Sequence, residues 1–168
     1  IFPEHIGCLR FSERALKGWE RMFVAGEGAA TTWEAVGAIA SRMRSAGHGL
    51  GADLILVCAD LYLRSSDWRP IVKEDIIGRF SEDAPNEMAV LLGIAERGES
   101  TKTGTRQGVR PDRIGVSRIL SRLRSSTPAG ARVFPVEPDI LRNWWNSACS
   151  ELGYDPGPVH TLRHVGPS

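Results

Sequence analysis

One strongly apolar segment, Gly51 to Leu63, most limits how this chain can fold. It predicts a helix with Arg64 at its C-terminal end. The apolar side chains of this helix are Leu54, Ile55, Val57, Cys58 and Leu61. The longest unbroken apolar run, from Leu54 to Ala59, is far shorter than the ~18 residues of a membrane span. We therefore expect no membrane partner, and a globular fold with its own core.

The remaining pattern predicts further helices, then a small sheet, then helices again. The further helices are expected at Ser12–Phe23, from Thr31 or Thr32 to Ala46, from Pro111 to about Arg124, from Glu137 to Gly153, and from a start near Pro158, Val159 or His160. Strands are expected at Ile71–Ile77, Asn86–Ile94 and Gln107–Arg110, with a polar hairpin tip between the last two. The predicted class is α+β, mostly helical, with a small antiparallel sheet that carries a lysine hairpin.

A length of 168 residues predicts a single domain. Residues 1–28 are also compatible with the end of an upstream arm or linker. Because the chain starts with Ile1 and stops at Ser168, eight residues beyond His160, we expect a fragment whose domain continues. Three widely spaced cysteines without a Cys-x-x-Cys pair indicate reduced thiols in an intracellular protein, nuclear or cytoplasmic.

The net charge of +1 conceals a basic block. Residues 97–124 carry eight Lys and Arg against Glu99 and Asp112, a local net charge of +6, whereas residues 1–96 have a net charge of −4. Such a block is typical of a surface that contacts a polyanion. A solvated helix face explains it equally well from charge alone.

Two isolated basic residues stand out before the last helices. Arg64 follows the apolar helix closely enough to be partly buried, and a partly buried Arg needs a partner, which Asp67 could supply. Lys102 lies in a polar segment with several Gly, Ser and Thr residues. No Gly-Lys pair of a phosphate-binding P-loop occurs there, so a flexible tip that presents a cation to a ligand is the better interpretation. A structural ion pair for Arg64 and an ordinary surface position for Lys102 remain alternatives.

The third basic group is near the end of the chain, where His160 and Arg163 share one helix face. His160 and His164 have the i, i+4 spacing of a metal-binding pair. Because no third ligand is near and Arg163 would repel a cation, we predict no metal and no cofactor. A phosphate-binding face fits the charge better.

In order and spacing, these motifs resemble the catalytic domain of tyrosine recombinases, the phage-integrase family. The family has a helix ending in Leu-Arg-x-x-Glu and then a strand near an Asp-Ile pair; residues 63–67 here read Leu-Arg-Ser-Ser-Asp, and residues 75–76 read Asp-Ile. Residues 101–104, Thr-Lys-Thr-Gly, match the family hairpin, and residues 160–164, His-Thr-Leu-Arg-His, match its last motif. The resemblance covers about residues 30–168 and implies a helical bundle of the tyrosine-recombinase kind.

The resemblance also implies a role for each matching residue. Arg64 and Arg163 would clamp the non-bridging oxygens of a scissile phosphate and stabilise its transition-state charge. Lys102 would protonate the 5′-hydroxyl leaving group, and His160 would act as general base or hydrogen-bond donor. Asp67 would support the Arg64 and His160 geometry.

The implied partner is double-stranded DNA, with self-assembly on DNA in the full-length protein. We expect DNA contacts from four residues of the basic block, Lys102, Arg106, Arg110 and Arg113. The implied activity is DNA cleavage and rejoining, in recombination or integration of a mobile element. Its intermediate in the full-length protein would be a 3′-phosphotyrosyl bond.

The family nucleophile is a Tyr that follows the last motif, and no Tyr follows it in this sequence. We predict that neither Tyr62 nor Tyr154 takes its place, so that the chain by itself does not cleave DNA. Two alternatives stay open: a DNA-binding module that kept the fold and lost the chemistry, and an unrelated helical protein in which the motifs do not converge.

Overall fold

The computed structural model describes residues 31–81, 83, 87–99, 104, 106–155, 157–159 and 162. In this part of the chain the α-helices are α1 Trp33–Ser45, α2 Gly49–Leu61, α3 Ser65–Trp68, α4 Ile114–Ser126 and α5 Pro138–Glu151. The strands are β1 Ile76–Ile77, β2 Ala89–Leu92 and β3 Gln107–Val109, and they form one antiparallel sheet in the order β1-β2-β3. Short 3-10 helices cover Lys73–Asp75 and Ala95–Arg97. The predicted class, α+β with a small antiparallel sheet, is confirmed.

Of the two predicted starts of helix α1, Thr31 and Thr32, the structure has Thr32 as the capping residue. The Thr32 hydroxyl accepts a hydrogen bond from the Ala35 N–H at 3.3 Å, which satisfies one of the free donors of the first turn. Val36, Ile39 and Met43 recur at helical spacing and are fully buried. Through this face α1 packs against α2 and α5.

Helix α2 is the buried centre of the fold, as its apolar sequence predicts. Leu54, Ile55 and Val57 are fully buried, and α2 packs against both α1 and α4. The predicted end of this helix at Leu63 is wrong by two residues. Tyr62 adopts a left-handed backbone conformation with a φ of 54°, which ends the helix at Leu61. Arg64 is consequently the N-cap of the next helix, α3, instead of the end of α2.

The first predicted strand, Ile71–Ile77, is wrong over most of its length. The Asp75 carboxylate accepts a hydrogen bond from the Val72 N–H at 2.9 Å, and this bond holds residues 73–75 in a 3-10 turn. Only Ile76 and Ile77 then pair with β2. The strands β2 and β3 pair as predicted, although β2 is shorter than the predicted Asn86–Ile94.

Two buried aspartates of α2 connect it to other elements. Asp53 accepts hydrogen bonds from Arg44 at 2.9 Å and from Arg122 at 2.5 Å, so α1 and α4 are both held to α2. Asp60 is fully buried and accepts a hydrogen bond from the Arg113 guanidinium at 3.0 Å. Paired in this way, the charges on the core helix do not remain unsatisfied.

The predicted ends of the domain are described only in part. The expected helix Ser12–Phe23 lies outside the described residues, as does Cys8. Of the expected last helix, only Pro158, Val159 and Leu162 are described. Within the described ranges, no helix is both long enough and apolar enough to cross a membrane.

Candidate functional site

Arg64 is held at the start of α3 by Asp67, its predicted partner. The Asp67 carboxylate accepts a hydrogen bond from the Arg64 backbone N–H at 2.8 Å, and the Asp67 N–H donates to the Arg64 carbonyl at 2.9 Å. Asp67 therefore orients the backbone of Arg64, whereas the expectation was a contact that orients its guanidinium. That guanidinium is half-buried and forms no ion pair with any described residue.

Arg64 lines a pocket of about 470 Å³ whose walls come from three parts of the chain. The first wall is the end of α2 with α3, the second is the start of α5, and the third consists of Pro158, Val159 and Leu162. The other lining residues include Cys58, Arg64 and Arg142. Arg64 of the first motif and Leu162 of the last motif therefore line the same pocket.

A buried tryptophan holds the third wall. Trp145 is 1% exposed in the core, and its indole N–H donates a hydrogen bond to the Gly157 carbonyl at 3.1 Å. The Gly157 N–H in turn donates to the Asp155 carboxylate at 3.0 Å. Leu162 is also buried, so Gly157 and Leu162 are each held to the core.

The other three residues of the predicted site, Lys102, His160 and Arg163, lie outside the described residues. The structure describes the strands on both sides of Lys102, and β2 and β3 pair with Leu92 opposite Gln107. The predicted hairpin is therefore confirmed, and it connects two strands of the sheet. The positions of the Lys102, His160 and Arg163 side chains stay predictions.

Much of the predicted basic surface is paired within the protein. Arg97 makes a bidentate contact with the buried Asp75, at 3.0 and 2.6 Å, and also pairs with Glu99 at 2.6 Å. Arg106 pairs with Glu96. These pairs neutralise part of the local positive charge. They favour an interpretation in which Arg97 and Arg106 stabilise the fold over one in which they contact a polyanion.

Arg113 and Arg110, both predicted to contact DNA, are in different environments. The Arg113 guanidinium lies over the Trp33 ring at 4.1 Å and pairs with the buried Asp60, so it has a structural role. Arg110 is exposed and forms no ion pair with the described residues. Of these two arginines, Arg113 is therefore engaged within the fold, and the DNA contact expected of Arg110 stays a prediction.

The thiol in the pocket wall is a poor nucleophile. Burial, with a smaller contribution from the Asp67 charge, raises the pKa of Cys58 well above its usual range. Burial also raises the pKa of Cys149, to about 11. Both cysteines are free and buried, so they act as small core side chains, as predicted for Cys58.

Neither tyrosine lines the Arg64 pocket. Tyr62 is 43% exposed at the end of α2. Tyr154 lines a different pocket, beside Cys149 and Asp155. That neither tyrosine acts as a nucleophile stays a prediction.

The pocket also contains a cation that the sequence analysis did not single out. Arg142 of α5 lines it, and its guanidinium pairs with Asp139 at 2.9 Å in an exposed i, i+3 contact. A helical position facing the Arg64 wall could not be recognised before α5 and α3 were placed together. Within the described ranges, no group of three His, Cys, Asp or Glu side chains could hold a metal ion.

The pocket therefore combines Arg64, which has no ion pair among the described residues, with a second arginine, Arg142, and with Leu162 of the last motif. We found no family model, curated protein or solved structure that matches this chain.

Proposed function

We propose that this chain holds a DNA phosphate during strand cleavage and rejoining, as the catalytic domain of a tyrosine recombinase or integrase. The observation that carries the proposal is the pocket lined by Arg64 together with Pro158, Val159 and Leu162. Arg64 belongs to the first motif and Leu162 to the last, and two motifs so far apart in the sequence that contribute to one pocket support a common site.

The chemistry of the pocket suits a phosphodiester. A guanidinium stays protonated and offers a planar fork of N–H donors that matches two phosphate oxygens. The Arg64 fork has no carboxylate to compete with a phosphate among the described residues. The half-buried position also strengthens its interaction with an anion relative to bulk water.

In this mechanism Arg64 and Arg163 bind the non-bridging oxygens and stabilise the charge that develops on them. Lys102, which lies between β2 and β3 in the sequence, donates a proton to the 5′ oxygen as it leaves. His160 accepts the proton of the attacking hydroxyl as general base, or donates a hydrogen bond to the phosphate, and Asp67 holds the backbone of Arg64. A Tyr of the full-length protein attacks the phosphorus and forms the 3′-phosphotyrosyl intermediate, which the released 5′-hydroxyl later reverses.

The binding part of the proposal predicts a defined loss for Arg64→Ala. A hydrogen-bonded contact with a charged group contributes about 1.5–3 kcal/mol, so affinity for double-stranded DNA should fall roughly tenfold or more. One lost phosphate contact should also lower the slope of log K against log salt by about 0.9. Fluorescence anisotropy of a labelled duplex over a salt series measures both quantities.

Arg42→Ala is the matched control, because Arg42 is exposed, pairs with Glu151 and does not line the pocket. It removes the same charge and should change the affinity less than twofold. Equal losses of DNA affinity in Arg64→Ala and Arg42→Ala would mean that the affinity depends only on net charge. The proposed clamp would then be wrong.

The catalytic part is tested on the full-length protein with a nicked duplex that traps the covalent intermediate. We expect a 3′-phosphotyrosyl adduct whose rate of formation falls about 10²–10³-fold in Arg64→Ala, the usual loss for one oxyanion-stabilising donor. Mapping should place the adduct on neither Tyr62 nor Tyr154. Tight, salt-dependent binding without any adduct would instead identify a DNA-binding module that lacks the chemistry.

A further inference from the structure

A second groove, of about 430 Å³, lies between the segment that follows β1 and the C-terminal half of α4. Three cations line it, Lys73, Arg79 and Arg124, together with the Ser121 hydroxyl. Phe80 and Met88 form its apolar wall. No described residue that lines this groove is a carboxylate. It is separate from the Arg64 pocket, since the two share no described lining residue.

These three cations differ from most of the other basic side chains of the fold. Arginines that pair with a carboxylate within the described ranges are Arg42, Arg44, Arg69, Arg97, Arg106, Arg113, Arg122, Arg132 and Arg142. Lys73, Arg79 and Arg124 have no such pair there. The neighbouring Glu74 carboxylate accepts hydrogen bonds from the Gly130 N–H, at 3.0 and 3.2 Å.

One of the cations is positioned in advance. The Arg124 guanidinium donates a hydrogen bond to the Gly78 carbonyl, which leaves its other N–H groups available. Gly78 has a φ of +84°, and a Cβ added there would lie 1.9 Å from the Glu87 carbonyl oxygen, so this turn requires glycine. The turn thus keeps the acceptor of Arg124 in place.

A hydroxyl stands beside this guanidinium. Ser121 precedes Arg124 by one helical turn and shares its face of α4. The Ser125 hydroxyl donates to the Ser121 carbonyl at 2.9 Å, whereas the Ser121 hydroxyl forms no hydrogen bond with the described residues. It is therefore available as a donor to a ligand in the groove.

We propose that this groove is a second anion site and that it binds a phosphate group. Three positive charges in one groove repel one another unless an anion joins them. Ammonium, guanidinium and hydroxyl groups are all donors, and phosphate oxygens are acceptors. The phosphate can belong to a free phosphorylated molecule or to a nucleic-acid backbone, and one set of titrations separates these sources.

The probe is inorganic pyrophosphate, titrated into the full chain labelled with ¹⁵N. We expect the amide resonances of Gly78 and Ser121 to shift in a saturable manner. Lys73→Gln and Arg79→Gln should each weaken this binding about tenfold, because each removes a charge-assisted contact. Arg42→Gln removes the same charge outside the groove and should change the dissociation constant less than twofold.

A short DNA duplex, titrated in the same way, identifies the source of the phosphate. Shifts of the Gly78 and Ser121 amides with the duplex would assign the groove to a nucleic-acid backbone, whereas shifts with pyrophosphate alone would assign it to a free phosphorylated molecule. Unchanged Gly78 and Ser121 amides with both probes would overturn the proposal. So would equal losses of affinity in Arg79→Gln and Arg42→Gln.

The amides of Ser65 and Ser66 report on the Arg64 pocket in the same spectra, since both residues line it. Shifts confined to these two amides would support the Arg64 clamp and overturn the second site. Shifts confined to Gly78 and Ser121 would support the second site and overturn the Arg64 clamp. The two proposals therefore fail independently.

Discussion

Asp60→Ala is expected to lower the free energy of unfolding by about 3–5 kcal/mol, the usual loss when one partner of a buried ion pair is removed. The Asp60 carboxylate accepts hydrogen bonds from the backbone N–H groups of Asp112, at 3.0 Å, and Arg113, at 3.3 Å. It also accepts one from the Arg113 guanidinium at 3.0 Å. The substitution leaves all three donors without this acceptor at the start of α4.

Urea denaturation followed by circular dichroism measures this loss. Asp60→Asn keeps a side chain of the same size with one acceptor oxygen. It should lower the free energy of unfolding clearly less than Asp60→Ala does. Asp139→Ala is the surface control, because its exposed pair with Arg142 contributes only about 0–1 kcal/mol. A loss below about 1 kcal/mol for Asp60→Ala would show that the tie between α2 and α4 is unimportant for stability.

Trp145→Ala is expected to lower the free energy of unfolding by a similar amount, about 3–5 kcal/mol, because it leaves a large cavity in the core. Trp145 is among the largest fully buried side chains and packs within the core cluster. The substitution also removes the donor to the Gly157 carbonyl. Stability and the third wall of the Arg64 pocket should therefore be lost together.

Trp145→Phe separates these two effects. It keeps much of the packing and removes the hydrogen bond to Gly157, so we expect a smaller loss of stability, about 1–3 kcal/mol. DNA affinity should nevertheless fall, since the segment that leads to His160 is no longer held. Trp144→Phe is the matched control, because Trp144 stacks on His48 with ring centroids 4.5 Å apart and does not line the pocket. DNA affinity unchanged in Trp145→Phe would mean that this anchor does not position the site.

The helices were the most predictable part of this fold. A capping Thr32 and apolar side chains at helical spacing place α1 almost to the residue, because these signals act within one or two turns. The strand predicted at Ile71–Ile77 was wrong because its conformation also depends on a contact that is distant in the sequence. Its conformation depends on Asp75, whose carboxylate turns the local backbone and also binds Arg97, 22 residues away.

The residues of the candidate site also differ in how well the sequence predicts them. Arg64 and Asp67 were recognised from their spacing, and their backbone contact joins residues three apart. Arg142 was missed, since nothing in the sequence near it indicates that α5 borders the Arg64 pocket. The groove with Lys73, Arg79 and Arg124 was missed as well, because its cations come from segments that meet only in the folded chain.

The sequence by itself determined the four long helices α1, α2, α4 and α5 to within a few residues, the α+β class, and the concentration of positive charge in residues 97–124. Only the tertiary structure decided which of these charges are neutralised. Arg113 pairs with Asp60, which is 53 residues away in the sequence. Arg122 pairs with Asp53, which is 69 residues away. Periodicity and capping are local, whereas an ion pair depends on distance in space, so the cations still available to a phosphate become apparent only after folding has paired the others.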